Sequence, residues 1–172
     1  MNSRTVARAL SLLVSSTLLI TAAPAGAVEL VDGGQLAGGG EGRWSFNQQE
    51  QCIMRKINRI RQRNGRSALR RDKQVGVIAR RHANSMASSY SVFHDGDIDR
   101  KITNWRSLAQ NSGAAGSCKR VFWAFMRSSG HRANILGRWR YMGVGVAKRN
   151  GRVFVQQVFE WRRDPGNVYR YP

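Results

Sequence analysis

Apolar residues along this chain recur first at helical spacing and only later at strand spacing. Ile53, Ile57 and Ile60 fall three or four apart with Cys52 beside the first, Asn47 with Glu50 forms a capping box before them, and Asn64-Gly65 supplies a stop. A first helix is therefore predicted from Gln48 to about Arg63. Its other side carries Arg55, Lys56, Arg59, Arg61 and Arg63, which read as a solvated face. Asp72 can cap a second helix in which Val75, Ile78, Ala79, His82, Ala83 and Met86 share one side. His82, next to an alanine, reads there as a packed histidine. Cys118 to Arg127, with Val121, Phe122, Phe125 and Met126, predicts a third helix ending at Ser128-Ser129-Gly130, after which His131 opens a short apolar turn.

The period then changes. Met142 to Arg149 and Arg152 to Trp161 predict two strands joined by Asn150-Gly151, a two-residue hairpin turn. Val153, Val155 and Phe159 point one way while Phe154 and Val158 point the other, so helices are expected on both faces of the sheet. Gly143 and Gly145 leave one face nearly bare, which lets a helix lie close against it. Between the helices, Ser88 to Asp99 is turn-rich, and Ile102 to Ser112 reads as a short strand entering a glycine-rich loop, Gly113 to Gly116. Asp95, Asp97 and Asp99 alternate as in a calcium loop, but Arg100 and Arg106 stand where that loop needs glycine and glutamate, so these aspartates read as loop-solvating and capping residues. The fold class is α+β, with helices first, a hairpin last, and three layers.

The first residues change the picture of where the protein works. Arg4 and Arg8 precede an apolar run from Ala9 to Ile20, and Ala25-Gly26-Ala27 fits a small-x-small cleavage site. Residues 1–27 read as a signal peptide, 28–43 as a flexible glycine-rich leader, 44–162 as one domain and 163–172 as a tail. No other stretch is long and apolar enough to span a bilayer, so the product is expected to be a secreted monomer, extracellular or associated with the cell wall. In that oxidising setting Cys52 and Cys118 form an even count that favours a disulfide over two separately buried thiols; closing the loop would contribute about 4 kcal/mol.

The formal net charge of +19, two fewer without Arg4 and Arg8, favours polyanionic partners such as cell-wall polymers, nucleic acids or anionic lipid. The same arginine richness also fits a GC-rich genome, since only five of the basic residues are lysines. The arginines are scattered rather than interleaved with aromatics, which speaks against a dedicated nucleic-acid groove.

Ala79-x-x-His82-Ala83-x-x-Met86-Ala87, His94, Gln110-Asn111, Ser128-x-Gly130-His131-Arg132-x-Asn134-Ile135-Leu136, Gly143-Val144-Gly145 and Gln157-x-Phe159 together resemble the CAP superfamily of cysteine-rich secretory, antigen 5 and pathogenesis-related proteins, in its bacterial SCP-like branch. The resemblance implies a three-layer α-β-α sandwich with a small antiparallel sheet. It also implies a shallow cleft holding two histidines and two acids, which in some members binds a divalent metal. The histidines fall on His94 and His131. The first acid, from the family's Gly-Glu-Asn motif, falls on Gln110, and the second falls near Ser128. The cleft implied for this chain thus contains His94, Gln110, Asn111, Ser128 and His131.

Here the imidazoles are kept and the carboxylates are lost. Two nitrogens alone fall short of the three protein ligands of a catalytic zinc site, so a metal such as zinc on His94 and His131 is a secondary expectation. Gln110 cannot accept a proton near neutral pH. Asp95, beside His94, is one candidate replacement base. The reading taken from sequence is a non-enzymatic extracellular recognition module that binds lipid, sterol or anionic wall polymer through the cleft and the basic surface. The alternative is a protease-like, metal-assisted hydrolase using His94 and His131, or, ranked lower, a serine variant through Ser128 or Ser129. A third reading leaves the two histidines as a vestigial pair bonded to Gln110 and the backbone.

Overall fold

The computed structural model describes residues 47–162 together with the backbone of two short strands, β1 (Thr5–Val6) and β6 (Val168–Tyr169). The expectations of a signal peptide, a glycine-rich leader and a tail otherwise lie outside the described residues.

Helix α1 (Gln48–Arg63) begins at the expected capping box: Asn47 Oδ1 accepts from the Glu50 amide at 2.9 Å, and Glu50 Oε2 accepts from the Asn47 amide at 2.9 Å. The short strand β2 (Arg70–Asp72) leads into α2 (Lys73–Ser89), capped by Asp72 Oδ1 on the Val75 amide at 3.1 Å. A single turn, α3 (Ile98–Lys101), precedes β3 (Ser107–Ala115). Then come α4 (Cys118–Arg127), α5 (Ser129–Leu136) and the hairpin of β4 (Tyr141–Arg149) and β5 (Arg152–Trp161). At the hairpin tip Asn150 and Gly151 have φ of 46° and 71°, the left-handed pair that a two-residue turn requires.

The strand order is β1-β3-β5-β4-β2-β6. Its centre, β3-β5-β4, is antiparallel, with Gln157 facing both Asn111 and Val144, while β2 joins β4 in parallel. Side chains alternate across each strand. On one face Val144, Val155 and Phe159 pack with Ile53 and Ile57 of α1, Phe122 and Phe125 of α4 and Ile135 of α5. On the other face Val158 packs on Val75 and Ala79, and Phe154 packs on Ala83 and Met86, all from α2. The result is an α-β-α sandwich, as expected. Cys52 and Cys118 are disulfide-bonded and tie α1 to the start of α4.

Three local readings change. The strand expected to end at Ser112 runs on to Ala115, taking in Gly113, which closes against Phe125: a Cβ there would stand 2.7 Å from the ring. His131 lies inside helix α5 rather than on a turn. Arg61, placed by pattern on the solvated face, is 2 % exposed. Its Nε donates to Ser67 O at 2.9 Å, and Nη1 donates to Ile135 O and Gly137 O at 2.7 and 2.9 Å. The guanidinium thereby satisfies carbonyls at the C-terminal end of α5, where a positive charge is favoured. Burial and neighbouring Arg66 lower its pKa to about 10, which still leaves it charged at neutral pH. Arg61→Met should keep the stem's packing yet take the donor from Ser67 O and Ile135 O and leave Gly137 O only the Trp139 amide, lowering stability by about 3 kcal/mol in urea unfolding. A loss below about 0.5 kcal/mol would mean that water replaces the donor.

Candidate functional site

Beyond Leu108, the outer edge of β3 has no strand against it among the described residues, because β1 pairs only with Ser107 and Leu108. Successive β3 residues face opposite sides of the sheet, and they hold the two histidines differently. Gln110 and Ser112 face the segment between α2 and α3 that carries His94. Asn111 faces α5, which carries His131.

On the His94 side, Gln110 is clamped to the backbone of residue 95. Its Oε1 accepts from the Asp95 amide at 3.0 Å and its Nε2 donates to the Asp95 carbonyl at 3.0 Å. A glutamate here would lack the second donor and would set a carboxylate oxygen against a carbonyl oxygen. The amide therefore has a structural use in this chain. Gln156 Nε2 donates to the same Gln110 oxygen at 2.8 Å, and Ser112 Oγ bridges Gln156 Oε1 and His94 Nδ1 at 2.5 and 3.1 Å.

His82 anchors this segment from α2. It is 8 % exposed, its Nε2 lies 2.8 Å from Phe93 O, and its ring meets the Phe93 ring edge-on at 4.8 Å. Its packed role agrees with the pattern, and it also braces the chain one residue before His94. Asp95, the candidate replacement base, is 6 % exposed and committed elsewhere: Lys101 Nζ approaches its Oδ1 at 2.6 Å, and His82 Nδ1 stands 4.0 Å from its Oδ2.

On the His131 side, Asn111 Nδ2 donates to His131 O at 3.2 Å and to Gln157 Oε1 at 2.9 Å, and Asn111 Oδ1 accepts from Asn134 Nδ2 at 2.9 Å. Trp139 Nε1 donates to Asn134 O at 2.7 Å, tying the end of α5 into the same network. The His131 ring lies against Phe125, with centroids 5.0 Å apart. The structure thus joins His94 with Gln110, and Asn111 with His131. Ser128 supplies the backbone start of α5, and its side chain makes no capping bond there.

Both imidazoles are held below their ordinary pKa. For His131 the first cause is burial, followed by the charge that His94 would carry. For His94 it is partial burial, then His82, opposed by a hydrogen bond with Gln110. Both rings are neutral at pH 7, and they are near enough for protonation of His94 to disfavour protonation of His131. Among the described residues no group of three or more histidine, cysteine, aspartate or glutamate side chains could hold a metal ion. Two imidazoles flanked by amides and a hydroxyl do not make a closed zinc ligand set.

Ser112 and Gln156 were not singled out by sequence pattern. Their only advance signal was polarity within segments that read as strands.

The model of the cysteine-rich secretory protein family, CAP, matches residues 54–159, more than half of the chain. A search among curated proteins found no match. Among solved structures, an outer surface protein from Borrelia burgdorferi aligns with a TM-score of 0.63 at 13% identity, covering 70% of this chain and 97% of its own. An extracellular protein containing an SCP domain from Bacillus anthracis aligns with a TM-score of 0.60 at 26% identity, covering 66% of this chain and 40% of its own. A cysteine-rich secretory protein from Staphylococcus aureus gives 0.55 at 22% identity, covering 65% and 38%. This chain therefore spans less than half of the length of the last two. The extended match over the helices, the sheet and both histidine-bearing segments places the chain in the cysteine-rich secretory protein (CAP) family.

Proposed function

We propose that this protein is a non-enzymatic extracellular recognition module, drawn to anionic surfaces by its charge and engaging them beside the histidine cleft. The observation that carries this reading is the segment leading into His94: Tyr90, Val92 and Phe93 are 46, 41 and 41 % exposed within four residues. Arg152, at the hairpin tip, lies over the Tyr90 ring at 5.7 Å. Aromatic and aliphatic side chains rimmed by arginine suit the interface of an anionic bilayer, where each basic residue adds about 1 kcal/mol of attraction. The net charge of +19 supplies the long-range part. Hydrolysis through His94 and His131 has weaker support, since Gln110 is no base and Asp95 is engaged by Lys101.

Sedimentation with phosphatidylglycerol and phosphatidylcholine vesicles tests the reading. Binding to the anionic vesicles should weaken about tenfold or more as salt rises from about 50 to about 500 mM. The double variant Val92→Ser, Phe93→Ser should lose a further factor of about ten, the value of two partly inserted apolar side chains. Soluble polyphosphate, standing in for wall polymer, separates the two anionic sources. If the double variant binds vesicles as well as the parent, wall polymer becomes the better partner; no binding to either polyanion at low salt would end the proposal.

A further inference from the structure

We infer that a hydrogen-bond relay running from the backbone of Asp95 through Gln110, Gln156 and Ser112 fixes His94 as its Nδ1–H tautomer, so that His94 offers the cleft an unprotonated Nε2 and reads hydrogen-bond donors on a ligand.

Backbone groups cannot exchange donor and acceptor, and that anchors the chain of bonds. Asp95 N–H requires an acceptor and Asp95 C=O requires a donor, so Gln110 has its Oε1 toward the former and its Nε2 toward the latter, both at 3.0 Å. Since Gln110 Oε1 only accepts, the Gln156 atom 2.8 Å away must be its NH2 group. The Gln156 oxygen then faces Ser112 Oγ, which must donate its one hydrogen there. Ser112 has only lone pairs left for His94, so the bond to Nδ1 at 3.1 Å requires the proton on the imidazole. Gln156 is fully buried and Ser112 is 6 % exposed, which shields the relay from rearrangement by solvent.

His94 itself reaches solvent. With Nδ1–H committed to Ser112, the other nitrogen of the neutral ring is an acceptor. The chemistry that fits is a ligand hydroxyl or amide N–H, whereas a carboxylate or phosphate oxygen would meet lone pair against lone pair. Gln110, Gln156 and Ser112 are positioning residues in this scheme. The ligand-class step rests on the cleft reading above; the tautomer does not, and it is measured with no vesicle or polymer present.

Imidazole nitrogen resonances of the 15N-labelled full chain at about pH 7.5, where both cleft histidines are neutral, test it directly. His94 should show a protonated Nδ1 and a bare Nε2. Finding Nε2–H in the parent protein overturns the relay. Ser112→Ala should move His94 toward Nε2–H and Ser112→Thr, which keeps the hydroxyl, should restore Nδ1–H. Retention of Nδ1–H in a folded Ser112→Ala variant would overturn the Ser112 step and assign the proton's hold to the Gln110 oxygen, which also hydrogen-bonds His94; should that variant fail to fold, the parent spectrum still decides. Glycerol should shift the His94 Nε2 resonance and acetate at equal concentration should not. A response to acetate, or to neither probe, removes the donor-reading cleft while leaving the tautomer standing.

Discussion

Gly145→Ala should lower stability by at least about 4 kcal/mol, enough to leave little folded protein, given a typical total of about 5–15 kcal/mol. A Cβ at this position would stand 2.1 Å from the carbonyl carbon and oxygen of Ala79 and 2.3 Å from the Arg80 amide nitrogen. Those are backbone atoms of α2. No rotamer change relieves them, so the helix itself must retreat by more than an ångström, lifting Val75, Ala79, Ala83 and Met86 off the sheet. Overpacking against movable side chains costs about 1–3 kcal/mol; meeting main chain exceeds that range. Gly143, whose Cβ would come within 2.3 Å of Val75, repeats the contact one turn earlier on α2. Gly96, with nothing within 4 Å, is the control, and Gly96→Ala should shift stability by less than about 0.5 kcal/mol. Urea midpoints compare the variants. A Gly145→Ala protein as stable as the parent would show that α2 does not ride on bare backbone.

Glu160→Gln should make the protein more stable at pH 9, by up to about 4 kcal/mol, while changing little at pH 5. Asp72, Glu160 and Arg162 form a buried group, 0, 0 and 3 % exposed. Arg162 Nη2 donates to Asp72 Oδ2 and Nη1 donates to Thr103 O at 3.1 Å. Its Nε lies 3.6 Å from Glu160 Oε1, close enough for an ion pair but without a hydrogen bond, and neither Glu160 oxygen has a hydrogen-bond partner. One guanidinium thus faces two carboxyls. Burial, then Asp72, push Glu160 up to about 8, with Arg162 opposing, so Glu160 is protonated at neutral pH. Asp72 is raised as well, by burial against the pull of the Val75 amide and Arg162.

For an acid whose folded pKa lies above its unfolded value, the folded state holds the proton more tightly. Stability is then full below the unfolded value of about 4.5 and drains away as pH rises toward about 8. The isosteric amide removes that slope. His94 and His131 act from the other side: their folded pKa values are depressed, so stability fully present above about 6.5 is lost as pH falls from there through the lowered folded values. Thermal unfolding across pH 5 to 9 should show both limbs. If the parent and Glu160→Gln curves run parallel, the carboxyl ionises in place without cost.

Much of the scaffold could be read from the chain because its signals are local. A capping box, a three-four spacing and an asparagine-glycine turn each act within a few residues, and α1, α2, α4 and the β4-β5 hairpin follow from them. The paired glycines of β4 announced a close helix, and the two histidine motifs announced the family. Signals that depend on a distant partner were misread or invisible. Arg61 sits on a helix face that is polar by pattern, yet carbonyls of Ile135 and Gly137 turn it inward. The two residues of β2 that pair with β4 carry no hydrophobic period of their own.

By itself, then, the sequence determined the layers, the hairpin and which histidines to watch. Tertiary structure alone decided which groups surround His94. The β3-β5 register sets Ser112 opposite Gln156, and the clamp on Asp95 brings Gln110 to the same point. Hydrogen-bond direction passes along such a network only when all of its members are in place, since each group's role is fixed by its neighbour rather than by its own identity.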